Sequence, residues 1–279
     1  MLSTLLSTPW GHPILDCAVC GHLIAQSSRF RAESGMAEFG DTVDPEDLDR
    51  FAAHGASWWD PSGSFRPLHR INPVRIGFIR GQLLEHFQRD ARALSPFTGL
   101  SLADIGCGGG LVAEPMTRLG CAVTGIDAGA AAIATARAHA EVGGLAIDYR
   151  VADIEGLARA GERFDIVLAL EIIEHVADRD AFFAALGMLV KPGGLFIGAT
   201  LNRTARSFAL AIVGAEYVLG WLPRGTHDWR RFVRPSEFVL GLRRAGLRAT
   251  RLAGLAYDWR GGGWSESTDL SVNYLVAAS

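Results

Sequence analysis

From Leu100 onward, apolar residues fall in short runs separated by stretches of helical length. The runs Leu100–Ile105, Cys121–Ile126, Ile147–Val151, Phe164–Leu170 and Leu195–Thr200 read as buried strands. Stretches near 110–119, 129–142 and 178–190 read as the helices between them. Two later runs, Leu247–Ala253 and Ser271–Ala278, close the chain as strands. Alternation of this kind predicts an α/β domain with a mostly parallel sheet and helices on both faces. Ahead of it the pattern is helical. Asp44-Pro45-Glu46-Asp47 opens one helix, with proline in the first turn and acids at the positive helix end. A second helix is expected over about Val74 to Arg89, after a loop rich in proline and glycine. The reading divides the chain into a loosely ordered extension (1–40), a helical cap (41–96) and the α/β domain (97–279), which carries an insertion at about 202–234.

Composition removes several classes of chemistry. The formal net charge is −3, without the basic excess expected of a nucleic-acid binder, so no nucleic-acid partner is expected. Lys191 is the single lysine, so there is no Gly-x-x-x-x-Gly-Lys phosphate loop and no well-placed Schiff-base lysine. The four cysteines (Cys17, Cys20, Cys107, Cys121) show no disulfide framework, which suits a reducing cytoplasm. Cys17 and Cys20, with His12 and His22 nearby, lack the second pair that a structural zinc site normally needs. No secretory signal and no spanning segment is read from the chain.

The candidate chemistry begins where the first strand ends. Gly106, Gly108, Gly109 and Gly110 follow Ile105 directly, and glycines there let a ligand approach bare backbone at the start of a helix. A dinucleotide loop would carry glycine at the position of Leu111. Asp104 also adds negative charge that a diphosphate would oppose, whereas S-adenosylmethionine has an ammonium and a sulfonium and no phosphate. Asp127 ends the second strand at the distance where an acid accepts ribose hydroxyls. Asp153 ends the third, within reach of an adenine amino group, and Glu171 follows the fourth. Any one of these acids could equally be a helix cap. Four at successive strand ends favour a cofactor site.

Together with Lys191-Pro192-Gly193-Gly194 before the fifth strand, these residues resemble the class I S-adenosylmethionine methyltransferases over about Leu100 to Thr200. The resemblance implies a Rossmann-like, seven-stranded, mostly parallel sheet whose last strand is antiparallel. The flanks narrow it. Trp58-Trp59-Asp60, the run Phe65 to Arg75, Glu171-Ile172-Ile173-Glu174-His175, Thr200 to Arg203, Pro223 to Asp228, Gly254 to Tyr257 and Val272-Asn273-Tyr274 are similar to the ubiquinone-biosynthesis O-methyltransferases over about 41–279. That likeness implies O-methylation of 2-polyprenyl-6-hydroxyphenol and 3-demethylubiquinol, with cofactor contacts at Arg75, Gly106, Asp127 and Leu170. Another small phenolic acceptor, or a non-catalytic subunit of a membrane assembly, are the alternatives.

A phenol titrates near ~10, so the acceptor needs a base or a metal to become phenolate at neutral pH. If a helix starts after the fourth strand, Glu171, Glu174 and His175 share one face. They are then candidate ligands for Mg²⁺, and Glu174 and His175 are candidate catalytic residues, with His175 as the general base if no metal serves. His227 is a second candidate base. Between 204 and 221 apolar residues surround most of the helical circumference, and Arg203, Arg206, Arg224, Arg230, Arg231 and Arg234 flank them. That arrangement suits a segment lying in an anionic membrane surface, through about 203–234, and fetching a polyprenyl catechol or quinol. The protein is thus expected to be cytoplasmic, peripheral to the inner face of the membrane, with other ubiquinone-pathway proteins as further partners.

Overall fold

The computed structural model describes residues 40, 42–44, 58–210, 212, 228–258 and 262–279. The Cys17/Cys20 pair, the helix expected after Asp44, most of the insertion, and His227 lie outside the described residues. The described part starts with helix α1 (Arg66–His86). Then follow β1 (Ser101–Ile105), α2 (Ala113–Arg118), β2 (Ala122–Asp127), α3 (Ala130–Val142), β3 (Asp148–Val151), α4 (Ile154–Arg159), β4 (Phe164–Leu170), α5 (Arg179–Leu189) and β5 (Val190–Leu201). Helix α6 (Pro235–Arg244) leads into β6 (Ala249–Asp258), β7 (Gly263–Ser267) and β8 (Asn273–Ala278).

The strands form one sheet in the order β3-β2-β1-β4-β5-β8-β6-β7. The first five pair in parallel. The last three are antiparallel to their neighbours, with β8 inserted between β5 and β6. The expected parallel core with an antiparallel final strand is present. The eighth strand is the departure: β7 is a hairpin partner of β6 at the sheet edge. Its sequence, Gly-Trp-Ser-Glu-Ser, has one large apolar residue and no alternation to read.

Side chains alternate between two buried layers, as strand geometry requires. Leu102, Leu168, Leu170, Ile197, Ala199, Leu275 and Ala277 pack against α1 and α3 through Phe78, Ile79, Leu83, Ile133 and Ala136. The opposite layer holds Ala103, Ile105, Val167, Phe196, Tyr274 and Val276 against α5 and α6 through Phe182, Phe183, Leu186, Phe238 and Leu242. At the far edge from the site, Lys191 Nζ reaches Asp165 at 2.9 Å and Ser101 Oγ at 3.1 Å, so the single lysine ties the starts of three strands.

Two expectations need correction. α1 begins at Arg66 rather than near Val74, because Pro67 sits in its first turn, where a missing N–H costs nothing, and Pro73 is accommodated inside it. Residues 171–178 form turns and bends, and α5 begins only at Arg179, capped by Asp178 Oδ1 accepting from Ala181 N at 3.0 Å. Glu171 has φ of +55°, a left-handed conformation that ends the strand without starting a helix. The shared helical face expected for Glu171, Glu174 and His175 does not form.

Candidate active site

The parallel strands all end on one edge, and the glycine loop crosses it after β1. Gly106 packs so closely that a Cβ would meet Ile172 Cδ1 at 2.8 Å. Gly108 (φ +53°) and Gly109 lie under the Trp58 indole, where a Cβ on either would stand 2.4 Å from ring carbon. Gly110 (φ +89°) turns its Cα toward the Tyr149 hydroxyl behind the loop. Asp127 holds the loop from the next strand: its oxygens accept from Gly108 N at 2.9 Å and Gly129 N at 2.7 Å. Each carboxylate oxygen retains a further lone pair for a hydroxyl donor.

Asp104 and Arg75 act on each other electrostatically here although they come from different elements. Asp104 is buried at the end of β1, and its Oδ2 has no hydrogen-bond partner among the described residues. Arg75 projects from α1, which is anchored over the loop by Asn72 Nδ2 donating to Leu111 O at 2.7 Å. Its NH2 donates to Asn72 Oδ1 at 3.0 Å, its NH1 lies 3.8 Å from Glu171 Oε1, and its Nε has no partner among the described residues. Burial pushes Asp104 up to about 7, against the pull of Arg75. A buried carboxylate oxygen and a buried guanidinium nitrogen, each without a partner among the described residues, are costly unless a ligand completes them. A free amino acid moiety, with its ammonium and carboxylate, has the matching charges. The residues therefore fit the methionyl end of S-adenosylmethionine. Leu170, buried at the end of β4, supplies an apolar wall.

Asp153 holds backbone in the same way as Asp127. Its Oδ1 caps α4 through Gly156 N at 2.5 Å, and its Oδ2 accepts from Gly40 N. Both oxygens thus engage backbone. Glu174 reaches to the opposite layer of the sheet, where Oε2 accepts from Thr200 Oγ1 at 2.8 Å and Oε1 is unpartnered among the described residues. Thr200 pairs with Tyr274, which belongs to that layer. His175 follows in the turn, its N–H donating to Ile172 O and its carbonyl accepting from Arg231 at 3.0 Å. No group of three His, Cys, Asp or Glu among the described residues converges to hold a metal ion. The trio Glu171, Glu174 and His175 does not fit Mg²⁺ as placed.

Burial, reinforced by Glu171, raises the Glu174 carboxyl from 4.5 to about 8. The native state then keeps a proton that the unfolded chain releases above about pH 4.5. Stability must fall as pH rises through that window and level off above about 8. Glu174→Gln keeps the neutral form and the Thr200 bond, so its stability in chemical denaturation should fall much less between pH 5 and 8.5 than that of the wild type. Equal slopes would reject the assignment.

Several residues here carry no readable chemical pattern. Trp59 stacks on His139 (centroids 3.5 Å apart, planes at 4°) and donates Nε1 to Gly109 O at 2.9 Å. His139 Nδ1 in turn contacts buried Glu114 at 2.6 Å. Trp58 stacks on Phe65 at 3.7 Å. The two tryptophans thus tie the start of α1 to the glycine loop, a role that the family resemblance of Trp58-Trp59-Asp60 did not disclose.

A methyltransferase-domain family model matches residues 103–198. The ubiquinone biosynthesis O-methyltransferase of Paramagnetospirillum magneticum is 53% identical over 235 residues, 84% of this chain and 94% of that protein. That of Methylobacterium nodulans is 54% identical over 86% of this chain and 96% of its own length. Among solved structures, the fold is similar to magnesium protoporphyrin IX methyltransferase from Synechocystis with SAH bound (TM-score 0.55, 17% identity, 83% of this chain and 98% of that one). It is also similar to an S-adenosylmethionine-dependent methyltransferase from Clostridium acetobutylicum (TM-score 0.54, 12% identity, 83% and 98%). With more than half of the aligned residues identical across nearly the full length of those relatives, the chain belongs to the ubiquinone biosynthesis O-methyltransferase family and takes S-adenosylmethionine as its methyl donor.

Proposed function

We propose that the chain methylates hydroxyls of catechol-type polyprenyl intermediates in ubiquinone biosynthesis, at both O-methylation steps. The observation that carries the reading is the buried Asp104–Arg75 pair with one unsatisfied atom on each side, set beside a glycine loop in a chain of this family. S-adenosylmethionine supplies an electrophilic methyl. Arg75 and Asp104 hold its carboxylate and ammonium, Asp127 accepts from the ribose, and Gly106, Gly108 and Leu170 form the bed and wall. Asp153 shapes the adenine end through the backbone it fixes. At the acceptor, His175 takes the phenolic proton. His227, the second candidate base, falls outside the described residues. Glu174 is a positioning residue that pins the turn bearing His175 to β5 through Thr200.

The finer placement of the enzyme is part of the proposal. No helix among the described residues is long and apolar enough to cross a membrane. Phe208 and Leu210, at the start of the insertion, are 45% and 47% exposed, which suits shallow contact with a bilayer where a polyprenyl tail resides. Arg203, Arg206 and Arg231 pair with Glu237, Asp269 and Asp44, so the apolar side chains carry more of this argument than those guanidiniums do. We place the enzyme peripherally on the cytoplasmic face, where other pathway enzymes would hand it substrate. A deletion strain should accumulate both demethylated intermediates in quinone profiles, and purified protein should methylate a short-chain demethylubiquinol. Normal quinones in the deletion strain would refute the pathway; transfer only to unrelated phenols would refute the acceptor class.

A further inference from the structure

One buried polar atom at the same edge of the sheet has no task in the cofactor site. Asn273 opens β8, is 7% exposed, and its Oδ1 has no hydrogen-bond partner among the described residues. An uncompensated buried amide carbonyl is disfavoured by the lost hydrogen bonds to water, so its persistence calls for a donor that arrives with a ligand.

The register says what Asn273 faces. It pairs with Leu201 on β5, and Leu170 on β4 pairs with Ala199. Alternation puts Asn273 on the same face as Leu275 and Ala277, the face of Ala199 and Leu170 and of α1. Asp104 shares it, because Leu102 does. Two strand spacings across and two residues along the strand separate Asn273 from Leu170, about 12 Å, which leaves room for one substituted aromatic ring beside the methyl donor. Going outward along this face from the donor end, the shelf reads Asp104, Leu170, Leu201, Asn273, then the β6–β7 hairpin. There Tyr257 and Trp264 stand edge to face at 5.4 Å, with the Arg70 guanidinium 5.7 Å from the Tyr257 ring centroid. The order is a charged cofactor end, an apolar stretch, one unsatisfied acceptor, and an aromatic end.

We infer that Asn273 is an acceptor-binding and specificity-determining residue: its Oδ1 accepts a hydrogen bond from the hydroxyl neighbouring the one being methylated. The inference rests on the catechol-type reading above and deepens it. A monophenol has no second hydroxyl, so binding it leaves the Asn273 carbonyl buried and unpaired, and the site rejects it. A site that bonds a substrate hydroxyl discriminates against the analogue lacking it far better than an apolar pocket can. Both intermediates assigned to the enzyme share the vicinal pair, so one residue serves both steps.

The test compares a short-chain catechol with the matching monophenol as acceptors for wild type, Asn273→Ala and Asn273→Asp, with S-adenosylhomocysteine affinity measured calorimetrically on each. In Asn273→Ala the catechol-to-monophenol ratio of kcat/KM should drop about tenfold, through the KM for catechol, at unchanged S-adenosylhomocysteine affinity. Asn273→Asp, which keeps an accepting oxygen, should retain most of the ratio. An unchanged ratio in an active, folded Asn273→Ala overturns the inference and leaves the catechol reading standing. An equal fall for both acceptors means a structural role and overturns it as well. Wild type with no preference for catechol overturns the reading and the inference together.

Discussion

Arg75→Met should bind S-adenosylhomocysteine about 100- to 1000-fold more weakly than the wild type in titration calorimetry, with the helix content of the fold retained. Removing one partner from a buried charge cluster strands the others, at a typical cost of about 3–5 kcal/mol. Here the stranded groups are Asp104 and Glu171, both of which interact with Arg75. The same arginine holds Asp104 below where burial alone would put it. Losing it pushes Asp104 further up, so the carboxyl that should meet the ligand's ammonium is more often protonated. Wild-type affinity should therefore rise with pH through about 7, as Asp104 ionises. Asp104→Asn should lie flat over that range, and in Arg75→Met the rise should move to higher pH. Arg75→Lys restores a charge without the guanidinium fork and should recover only part of the affinity. Wild-type affinity for S-adenosylhomocysteine in Arg75→Met would remove Arg75 from the cofactor site.

What the sequence could disclose followed from how far each signal reaches along the chain. β1, β2 and β4 are near-continuous apolar runs with glycine or acid at their ends, and buried parallel strands leave that trace locally. β7 has no such trace, since its stability comes from pairing with β6 rather than from burying its own side chains. The segment after β4 misled for a different reason. Spacings of three and four among Glu171, Glu174 and His175 occur in any short polar stretch, and the φ of Glu171, with Asp178 as cap, decides against a helix there. Asp127 was legible because its distance from the glycines is set by one β-α-β unit. The meeting of Asp104 with Arg75 was not, because α1 reaches the loop by packing, through Asn72 to Leu111, and nothing in local pattern encodes that contact. Only the resemblance of the flanking runs pointed to Arg75. Asp153 was read, like Asp127, from its place at a strand end, and its carboxylate fixes backbone at the start of α4 and at Gly40 as that of Asp127 does at Gly108 and Gly129.

The glycine loop supports the second large effect. Gly110→Ala should cost about 3–4 kcal/mol of folding stability, and the double variant with Tyr149→Phe should recover about half of it. Two causes add at Gly110. Its φ of +89° is a backbone region that a residue with a Cβ enters at a cost of about 1–2 kcal/mol. The new methyl would also stand 2.2 Å from the Tyr149 hydroxyl and 3.1 Å from the ring carbon bearing it. The hydroxyl is the severe contact, and it has no hydrogen-bond partner among the described residues. Tyr149→Phe alone should therefore be neutral or mildly stabilising, because it removes a buried group that bonds to nothing there. In the double variant the remaining 3.1 Å contact needs a shift of a few tenths of an ångström, and only the backbone strain persists. A double-mutant cycle by chemical denaturation isolates the two causes, with an interaction energy of about 1.5–2 kcal/mol favouring the pair. Strict additivity would mean that Gly110 is required for its backbone conformation alone and that the loop does not rest on Tyr149. The predicted coupling would instead make β3 the support that sets how far the loop stands off the sheet, and with it the height at which Gly108 and Asp127 present themselves to the cofactor.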